Sequence, residues 1–99
     1  MYTEKVEFEW DDDKNNKNFR KHGVWFEEAV SVFSDPNARE IPDTEHSENE
    51  ERWVIIGMSS EINLLVVFYV ERRNGEIIRP ISACKATAQE TKSYRRFKG

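Results

Sequence analysis

The chain has 99 residues, of which 37% are hydrophobic, 12% aromatic and 34% charged, and its formal net charge is −4. That length predicts a single domain spanning residues 1–99 and excludes an enzyme with a separate cofactor-binding fold. The chain has no apolar run of the ~20 residues that span a bilayer, no apolar leader and a single cysteine, so we expect a cytoplasmic protein without a membrane partner or an internal disulfide.

The first third of the chain predicts one strand and two helices. Apolar residues alternate with glutamates over residues 6–10, which is the period of a half-buried strand. The aspartates at 11–13 supply an N-cap and negative charge for a helix that ends near Gly23. A second helix ends before Pro36 and carries an apolar stripe at helical spacing. The stripe consists of Phe26, Ala29, Val30 and Phe33.

The middle of the chain predicts strands around an acidic loop. A short edge strand is expected at 38–41, and residues 40–51, with six carboxylates and His46, lack any sustained periodicity. Residues 52–58 and 64–71 are apolar at both parities, as in central strands covered on both faces. We expect a mostly buried core formed by Phe26, Phe33, Trp53, Ile55, Leu65, Val67 and Phe68.

The last third predicts a hairpin and a final helix. Asn74-Gly75 is a strong hairpin signal and leads into a returning strand over 76–82. Thr87 and Glu90 form a capping box for a helix that ends near Phe97. The resulting order, β-α-α-(β)-β-β-β-α, predicts an α+β fold: a small antiparallel β-sheet with two N-terminal helices and one C-terminal helix.

Positive charge is unevenly distributed along the chain. Residues 79–99 carry six Lys or Arg and one Glu, whereas residues 1–78 carry nine Lys or Arg and eighteen Asp or Glu. A second basic cluster consists of Lys14, Lys17, Arg20, Lys21 and His22. Such asymmetry can create a polyanion-binding face on a globally acidic protein, although solvated helix faces produce the same pattern.

The sequence offers few residues for metal, cofactor or nucleophilic chemistry. The four glycines are scattered singly, so no phosphate-binding loop and no nucleotide cofactor are predicted. His22 and His46 lack the spacing of a zinc site, and the carboxylate runs lack the alternation of a calcium loop. Cys84 precedes Lys85, which lowers a thiol pKa if exposed, but a lone cysteine is more often a small buried hydrophobe.

The candidate catalytic residues are cations near strand ends. Arg52, Arg72, Arg79 and Lys85 lie at strand ends or just beyond, and Glu71 adds a carboxylate. The planar fork of arginine matches phosphate oxygens and can stabilise the charge of RNA cleavage, whose 2′-OH nucleophile comes with the substrate. Surface salt bridging across a hairpin explains the same residues without any activity.

Strand alternation predicts the face of the sheet on which Arg79 lies. It predicts that Arg79, Ile81 and Ala83 share one face of the last strand, opposite Ile78, Pro80 and Ser82.

Blocks of sequence in fixed order resemble the BrnT family of bacterial type II toxins. The blocks cover nearly the whole chain with short gaps. They are Phe8-Glu9-Trp10-Asp11, Arg20-Lys21-His22-Gly23-Val24, Phe26-Glu27-Glu28-Ala29, Val32-Phe33, Asp35-Pro36, Ile41-Pro42-Asp43, Glu45-His46-Ser47-Glu48, Glu50-Glu51-Arg52-Trp53, Ile56-Gly57, Glu71-Arg72, Ile81-Ser82-Ala83, Lys85-Ala86-Thr87 and Glu90.

The resemblance implies a RelE/ParE-like fold and a ribonuclease toxin that arrests translation. It also implies a cognate antitoxin with a ribbon-helix-helix DNA-binding part, which neutralises the toxin and represses their shared operon. Operator DNA would then be contacted only through the antitoxin. Because antitoxin and RNA would both use basic surface, the acidic 40–51 loop should not bind RNA, and both contacts should centre on the last strand and the final helix.

Three positions depart from the family pattern. Cys84 stands where the family usually has a second cation, which implies a weakened toxin if that cation binds phosphate. Pro80 replaces an aliphatic strand residue and cannot donate to a strand ladder. Trp25 replaces the small polar residue that would cap the second helix.

The sequence therefore predicts a metal-independent endoribonuclease. Arg52, Arg72, Arg79 and Lys85 would contact phosphate, and Glu71 or His46 would transfer the proton. The alternative is a non-catalytic subunit that binds the antitoxin and acts as a co-repressor, which the cysteine at position 84 favours.

Overall fold

A computed structural model describes residues 6–46 and 51–98, and the predicted order of elements is confirmed. The three helices are α1 (Asp12–His22), α2 (Phe26–Ala29) and α3 (Ala88–Lys98). The five strands are β1 (Glu7–Phe8), β2 (Arg39–Pro42), β3 (Arg52–Met58), β4 (Leu64–Arg72) and β5 (Ile77–Lys85). Two 3-10 turns, Val30–Ser34 and Thr44–His46, complete the α+β fold.

The strands form one sheet in the order β1-β5-β4-β3-β2. Strands β2 to β5 form an antiparallel meander, as predicted, but β1 runs parallel to β5. The sheet is therefore mixed, and the expectation of a purely antiparallel sheet is wrong for this strand. Alternation along residues 6–10 reveals that a strand exists, but carries no information about the direction of a partner that is distant in sequence.

Helix α1 has the two ends that its sequence predicts. The Asp11 carboxylate accepts a hydrogen bond from the Lys14 backbone N–H at 3.2 Å, and so caps the helix. Gly23 adopts a left-handed conformation with φ 73° and donates its N–H to the Phe19 carbonyl at 2.7 Å. Glycine is required here because a side chain disfavours that backbone conformation.

The second predicted helix is one α-helical turn followed by a 3-10 turn. Since a 3-10 helix has three residues per turn, Val32 follows Ala29 on the buried face, whereas the predicted Val30 is only half-buried. Trp25 precedes α2 without capping it through its side chain. The 3-10 turn approaches β3 so closely that a Cβ at Gly57 would lie 3.2 Å from Val32.

The core lies between the sheet and the layer formed by α1, α2 and the first 3-10 turn. Five of the seven residues expected in the core are fully buried: Phe26, Phe33, Ile55, Leu65 and Val67. Trp53 is half-buried at the margin of the core. Phe68 is also half-buried, because it lies on the other face of the sheet. We call the first surface the core face and the other the second face.

Strand β5 is longer than predicted and contains an irregularity. Tyr69 pairs with Pro80 and Phe68 with Ser82, so Ile81 has no direct partner on β4. This bulge reverses the alternation of side chains. Ile78, Pro80 and Ala83 therefore face the core, whereas Arg79, Ser82 and Cys84 share the second face, and the predicted grouping of Arg79 with Ile81 and Ala83 is wrong. Pro80 lies directly before the unpartnered Ile81, where the ladder is interrupted, so a residue without an N–H is tolerated there.

Helix α3 begins at the predicted capping box and packs against the second face. The Thr87 hydroxyl accepts from the Glu90 N–H at 3.1 Å, and the Glu90 carboxylate accepts from the Thr87 N–H at 2.8 Å. Further along, the buried Tyr94 hydroxyl donates to the Asp35 carboxylate at 2.6 Å. The same carboxylate accepts the Met58 N–H at 2.8 Å, so one aspartate ties α3 to the end of β3.

Candidate functional site

Three of the predicted site residues meet on the second face of the sheet. Arg52 on β3 and Arg79 on β5 are both in register with Val70 of β4, one on each side. Adjacent strands lie about 4.8 Å apart, so the backbones of these two arginines are about 10 Å apart. Arg72 follows two residues after Val70 and so projects from the same face. We call these three residues the arginine cluster.

The arginine cluster sits over a dry, apolar floor. Val70 is only 2% exposed although it lies between two cationic residues. Arginine stems can pack on apolar neighbours in this way, and the Nε atom of Arg52 is itself buried. Guanidinium groups held above a low-dielectric surface interact more strongly with an anion than freely solvated ones do.

Glu9 lies beside the arginine cluster and is not among the candidate site residues that the sequence predicts. Its carboxylate forms an ion pair with the Arg79 guanidinium at 3.4 Å, and the two side chains are 45% and 26% exposed, respectively. This contact orients Arg79 and leaves a carboxylate beside the cluster. The signals for Glu9 in the sequence are the alternation of the first strand and the block Phe8-Glu9-Trp10-Asp11, and neither indicates an arginine as its partner.

The structure does not bring Glu71 and Lys85 to the arginine cluster. Glu71 is in register with the buried Ile78 and so belongs to the opposite face of the sheet. Lys85 is in register with Leu65, which precedes Val70 by five residues on β4. At a rise of about 3.4 Å per residue, Lys85 is therefore about 17 Å from the cluster along the strand direction.

His46 closes the 3-10 turn that follows β2, and its side chain lies outside the described residues. The turn begins beside the arginine cluster, since the Asp43 N–H donates to the Arg52 carbonyl at 2.8 Å. The backbone of His46 thus approaches the end of the sheet that carries Arg52. Residues 47–50 also lie outside the described part of the chain, and they contain part of the acidic loop and parts of two sequence blocks.

Cys84 lies on the second face beneath α3. It is half-buried and in register with Val66. Burial, with a smaller contribution from the Glu90 charge, raises the pKa of the Cys84 thiol. The thiol therefore stays protonated at neutral pH, which disfavours a nucleophilic role.

An apolar groove continues from the arginine cluster toward α3. Its volume is about 290 Å³, and its walls are Arg39, Ile41, Val54, Ile56, Val66, Phe68, Glu90 and Ser93. Strands β2 to β4 supply the floor, and α3 supplies one side. The second face thus combines a cationic end with an adjoining apolar channel.

Two further features concern metals and membranes. Across residues 6–46 and 51–98, no three His, Cys, Asp or Glu side chains are grouped so as to hold a metal ion. In the same part of the chain, none of the helices has the length and apolar character needed to cross a bilayer.

Fold and site together define a small α+β protein whose sheet presents a cluster of arginines at one end of one face. The chain matches the family model for the ribonuclease toxin BrnT of type II toxin–antitoxin systems over residues 10–90. It therefore belongs to the BrnT family, as the sequence blocks indicated. Membership makes it a type II toxin with a cognate antitoxin as its partner, in a family of ribonucleases.

The fold also matches a solved structure. The 1.1 Å crystal structure of the Brucella abortus ribonuclease toxin BrnT aligns with a TM-score of 0.64 and 21% sequence identity. The alignment covers 83% of this chain and 97% of that one, so the two proteins share the same fold over most of their length. Among curated proteins, none matches this chain.

Proposed function

We propose that this protein is a metal-independent endoribonuclease that arrests translation. The observation that carries the proposal is the arginine cluster, which gathers Arg52, Arg72 and Arg79 on one face and at one end of the sheet. Three guanidinium groups supply the positive charge that many nucleases obtain from metal ions. Family membership independently supports ribonuclease activity.

The proposed reaction uses the substrate's own nucleophile. The 2′-hydroxyl oxygen of the RNA attacks the adjacent phosphorus, a new O2′–P bond forms, and the P–O5′ bond breaks. A base takes the 2′-hydroxyl proton, and an acid protonates the departing 5′-oxygen. The arginine cluster stabilises the extra negative charge of the pentacoordinate phosphorus, which is present only transiently.

Three residues compete for the proton-transfer role. His46 and Glu71 are the candidates from sequence, and Glu9 joins them because it contacts Arg79 directly. Glu71 faces away from the arginine cluster, so it reaches a bound phosphate only around the end of the strand. We therefore rank Glu9 and His46 ahead of Glu71. Lys85, at the opposite end of β5, would contact a phosphate outside the cleavage site.

Exchange of Arg79 tests the proposed site. Arg79→Ala should lower cleavage of purified cellular RNA by about 10²–10³-fold, because one preorganised cation is lost from the transition state. Arg20→Ala, which removes an exposed arginine from α1, is the matched control and should cleave normally. Each protein is assayed both with and without a metal chelator. Full cleavage by Arg79→Ala would eliminate the site, and loss of wild-type cleavage on chelation would eliminate metal independence.

The antitoxin is proposed to carry a ribbon-helix-helix DNA-binding part and to cover the second face. The cluster and the adjoining groove offer both charge and apolar surface to such a partner. Operator DNA would be reached only through the antitoxin. Co-purification with the product of the neighbouring gene, followed by operator binding of the complex but not of the toxin alone, tests this arrangement.

A non-catalytic role is the second candidate. Cys84 favours it, because the family usually carries a cation at that position. Such a subunit would bind the antitoxin and support repression without cleaving RNA. Expression of the chain without its neighbouring gene separates the two candidates, since growth arrest requires the nuclease.

A further inference from the structure

A second basic surface lies on α1, away from the groove. Lys14, Lys17 and Lys21 are exposed and recur every three or four residues, so they share one side of the helix. A shallow cavity of about 280 Å³ opens beside them. It is lined by Lys14, Lys17, Asn18, Lys21, His22, Ile81 and Ser82. We call Lys14, Lys17 and Lys21 the lysine row.

The lysine row is fixed against β5 by a buried asparagine. The Asn18 amide donates to the Ala83 carbonyl at 2.9 Å, and its oxygen accepts the Ala83 N–H at 3.0 Å. A further bond from the same amide reaches the Val24 carbonyl at 2.9 Å. The helix that carries the lysines is therefore held at a set position beside the β5 bulge.

The lysine row and the arginine cluster are connected along β5. Ser82 lines the cavity and lies on the second face with Arg79, three residues earlier. Three residues of strand span about 10 Å. A strand of nucleic acid held at Arg79 can therefore continue over Ser82 to the lysines without leaving the surface.

The two sides of α1 differ in charge. Within the described residues, no carboxylate forms an ion pair with any side chain of the lysine row. Acidic residues instead line a separate cavity of about 490 Å³ on the other side of the helix, together with Trp25. Those residues are Asp12, Glu27, Glu28 and Glu61. The basic side is thus kept available to an anion, and the acidic side repels one.

We propose that the lysine row binds the phosphate backbone of the RNA strand that flanks the cleavage site. The proposal rests on the proposed nuclease function and adds an extended substrate-binding surface to it. Lysine ammonium groups act as mobile point charges and suit sequence-independent backbone contacts. An acidic protein segment is the less suitable ligand, because lysine is depleted at the core of protein interfaces.

Binding of inert RNA to matched variants tests the proposal. The probes are 2′-O-methyl oligouridines of about 4 and about 16 nucleotides, the range of lengths that single-strand-binding folds contact. The methyl group removes the nucleophile, so binding is measured without cleavage. The test variant is Lys17→Gln with Lys21→Gln. The control is Arg20→Gln with Arg73→Gln, which removes the same charge from exposed positions outside the lysine row and outside α3.

The wild type and the control should bind the long probe more tightly than the short one. The test variant should lose that advantage. A plot of the logarithm of its binding constant for the long probe against the logarithm of salt concentration should have a slope shallower by about 1.4, or about 0.7 for each lost contact. The proposal for the lysine row would be overturned if the control lost as much RNA binding as the test variant, or if the test variant still preferred the long probe. So would weaker antitoxin binding with RNA binding intact. Binding by a wild type that cleaves no cellular RNA would refute the nuclease proposal instead.

Discussion

The surroundings of Cys84 determine what a cation at this position would contact. It lies on the second face beneath α3, and Glu90 is close enough for its charge to raise the pKa of the thiol. A cation at this position would be paired with Glu90 and would extend the positive surface of β5 beyond Arg79.

Restoring that cation is the first prediction. Cys84→Arg should increase the rate of RNA cleavage, because it adds phosphate-binding charge on the face that carries the arginine cluster. Cleavage of purified cellular RNA, compared with wild type and with Cys84→Ser, measures the effect. Equal rates for all three proteins would show that the cysteine does not weaken the toxin.

Phe33 provides a test of the core at the same scale. Its ring is 3% exposed and packs against Tyr69, with ring centroids 4.9 Å apart. Phe33→Ala should lower the free energy of unfolding by about 3–5 kcal/mol through loss of burial and formation of a cavity. Chemical denaturation measures this, with Phe19→Ala as a control, since that ring is 38% exposed. Similar losses for both variants would contradict the packing.

Among elements, α3 depends on a contact that its own sequence does not reveal. Burial raises the pKa of Tyr94 to about 12, with smaller contributions from the hydrogen bond to Asp35 and from its negative charge. An unfolded tyrosine ionises near pH 10, so between about pH 10 and 12 the unfolded state releases a proton that the folded state retains. The stabilisation is complete below that range and is lost as pH rises through it.

Tyr94→Phe should therefore have two effects. At neutral pH it should lower the free energy of unfolding by about 1.5–3 kcal/mol, since a hydrogen bond to a charged group is lost. Between pH 10 and 12 the variant should lose less stability than wild type. Denaturation series at several pH values measure both effects, and parallel pH profiles would rule out Tyr94 as the cause.

Helix α1 is held in place by polar rather than apolar contacts at two buried positions. Asn15 accepts the Phe26 N–H at 2.8 Å, and Asn18 bonds to both backbone groups of Ala83. Asn18→Leu should lower the free energy of unfolding by about 2–4 kcal/mol, because it leaves buried backbone groups unsatisfied. Asn16→Leu, at an exposed position of the same helix, is the control. A change within about 0.5 kcal/mol for both would contradict this role for Asn18.

The elements that could be predicted are those specified by neighbouring residues. The Asp11 cap, the Gly23 terminus, the Asn-Gly hairpin and the Thr87–Glu90 capping box all act over a few positions and were all found. The direction of β1 and the bulge at Ile81 depend on partners far away in sequence. Periodicity contains no signal for either, because it describes one strand at a time.

At the scale of the whole molecule, the sequence predicts which types of residue form the candidate site better than it predicts how they are arranged. Arg52, Arg72 and Arg79 meet because the registers of β3, β4 and β5 place them at the same end of one face. The sequence predicts that the last strand ends at residue 82 and that Lys85 lies just beyond it. The strand continues to Lys85 instead and carries that residue away from the cluster.

The distribution of charge over the molecule yields a further prediction. Arg95 and Arg96 are exposed on α3, outside the arginine cluster. Their joint replacement by Glu should weaken binding of antitoxin or RNA most strongly at low salt, because exposed charges are screened as ionic strength rises. Titrations at two salt concentrations measure the effect. Binding that is unchanged at low salt would remove the end of α3 from the functional surface.

The asparagine that fastens α1 to β5 also bears on self-association. An open strand edge is a template for pairing with another chain, and β1 is only two residues long. Beyond it, the Asn18 carboxamide offers Ala83 a carbonyl and an N–H, as the peptide group of a neighbouring strand would. A single side chain thus closes an edge that would otherwise need several more residues of strand, and it keeps that part of β5 from nucleating aggregates.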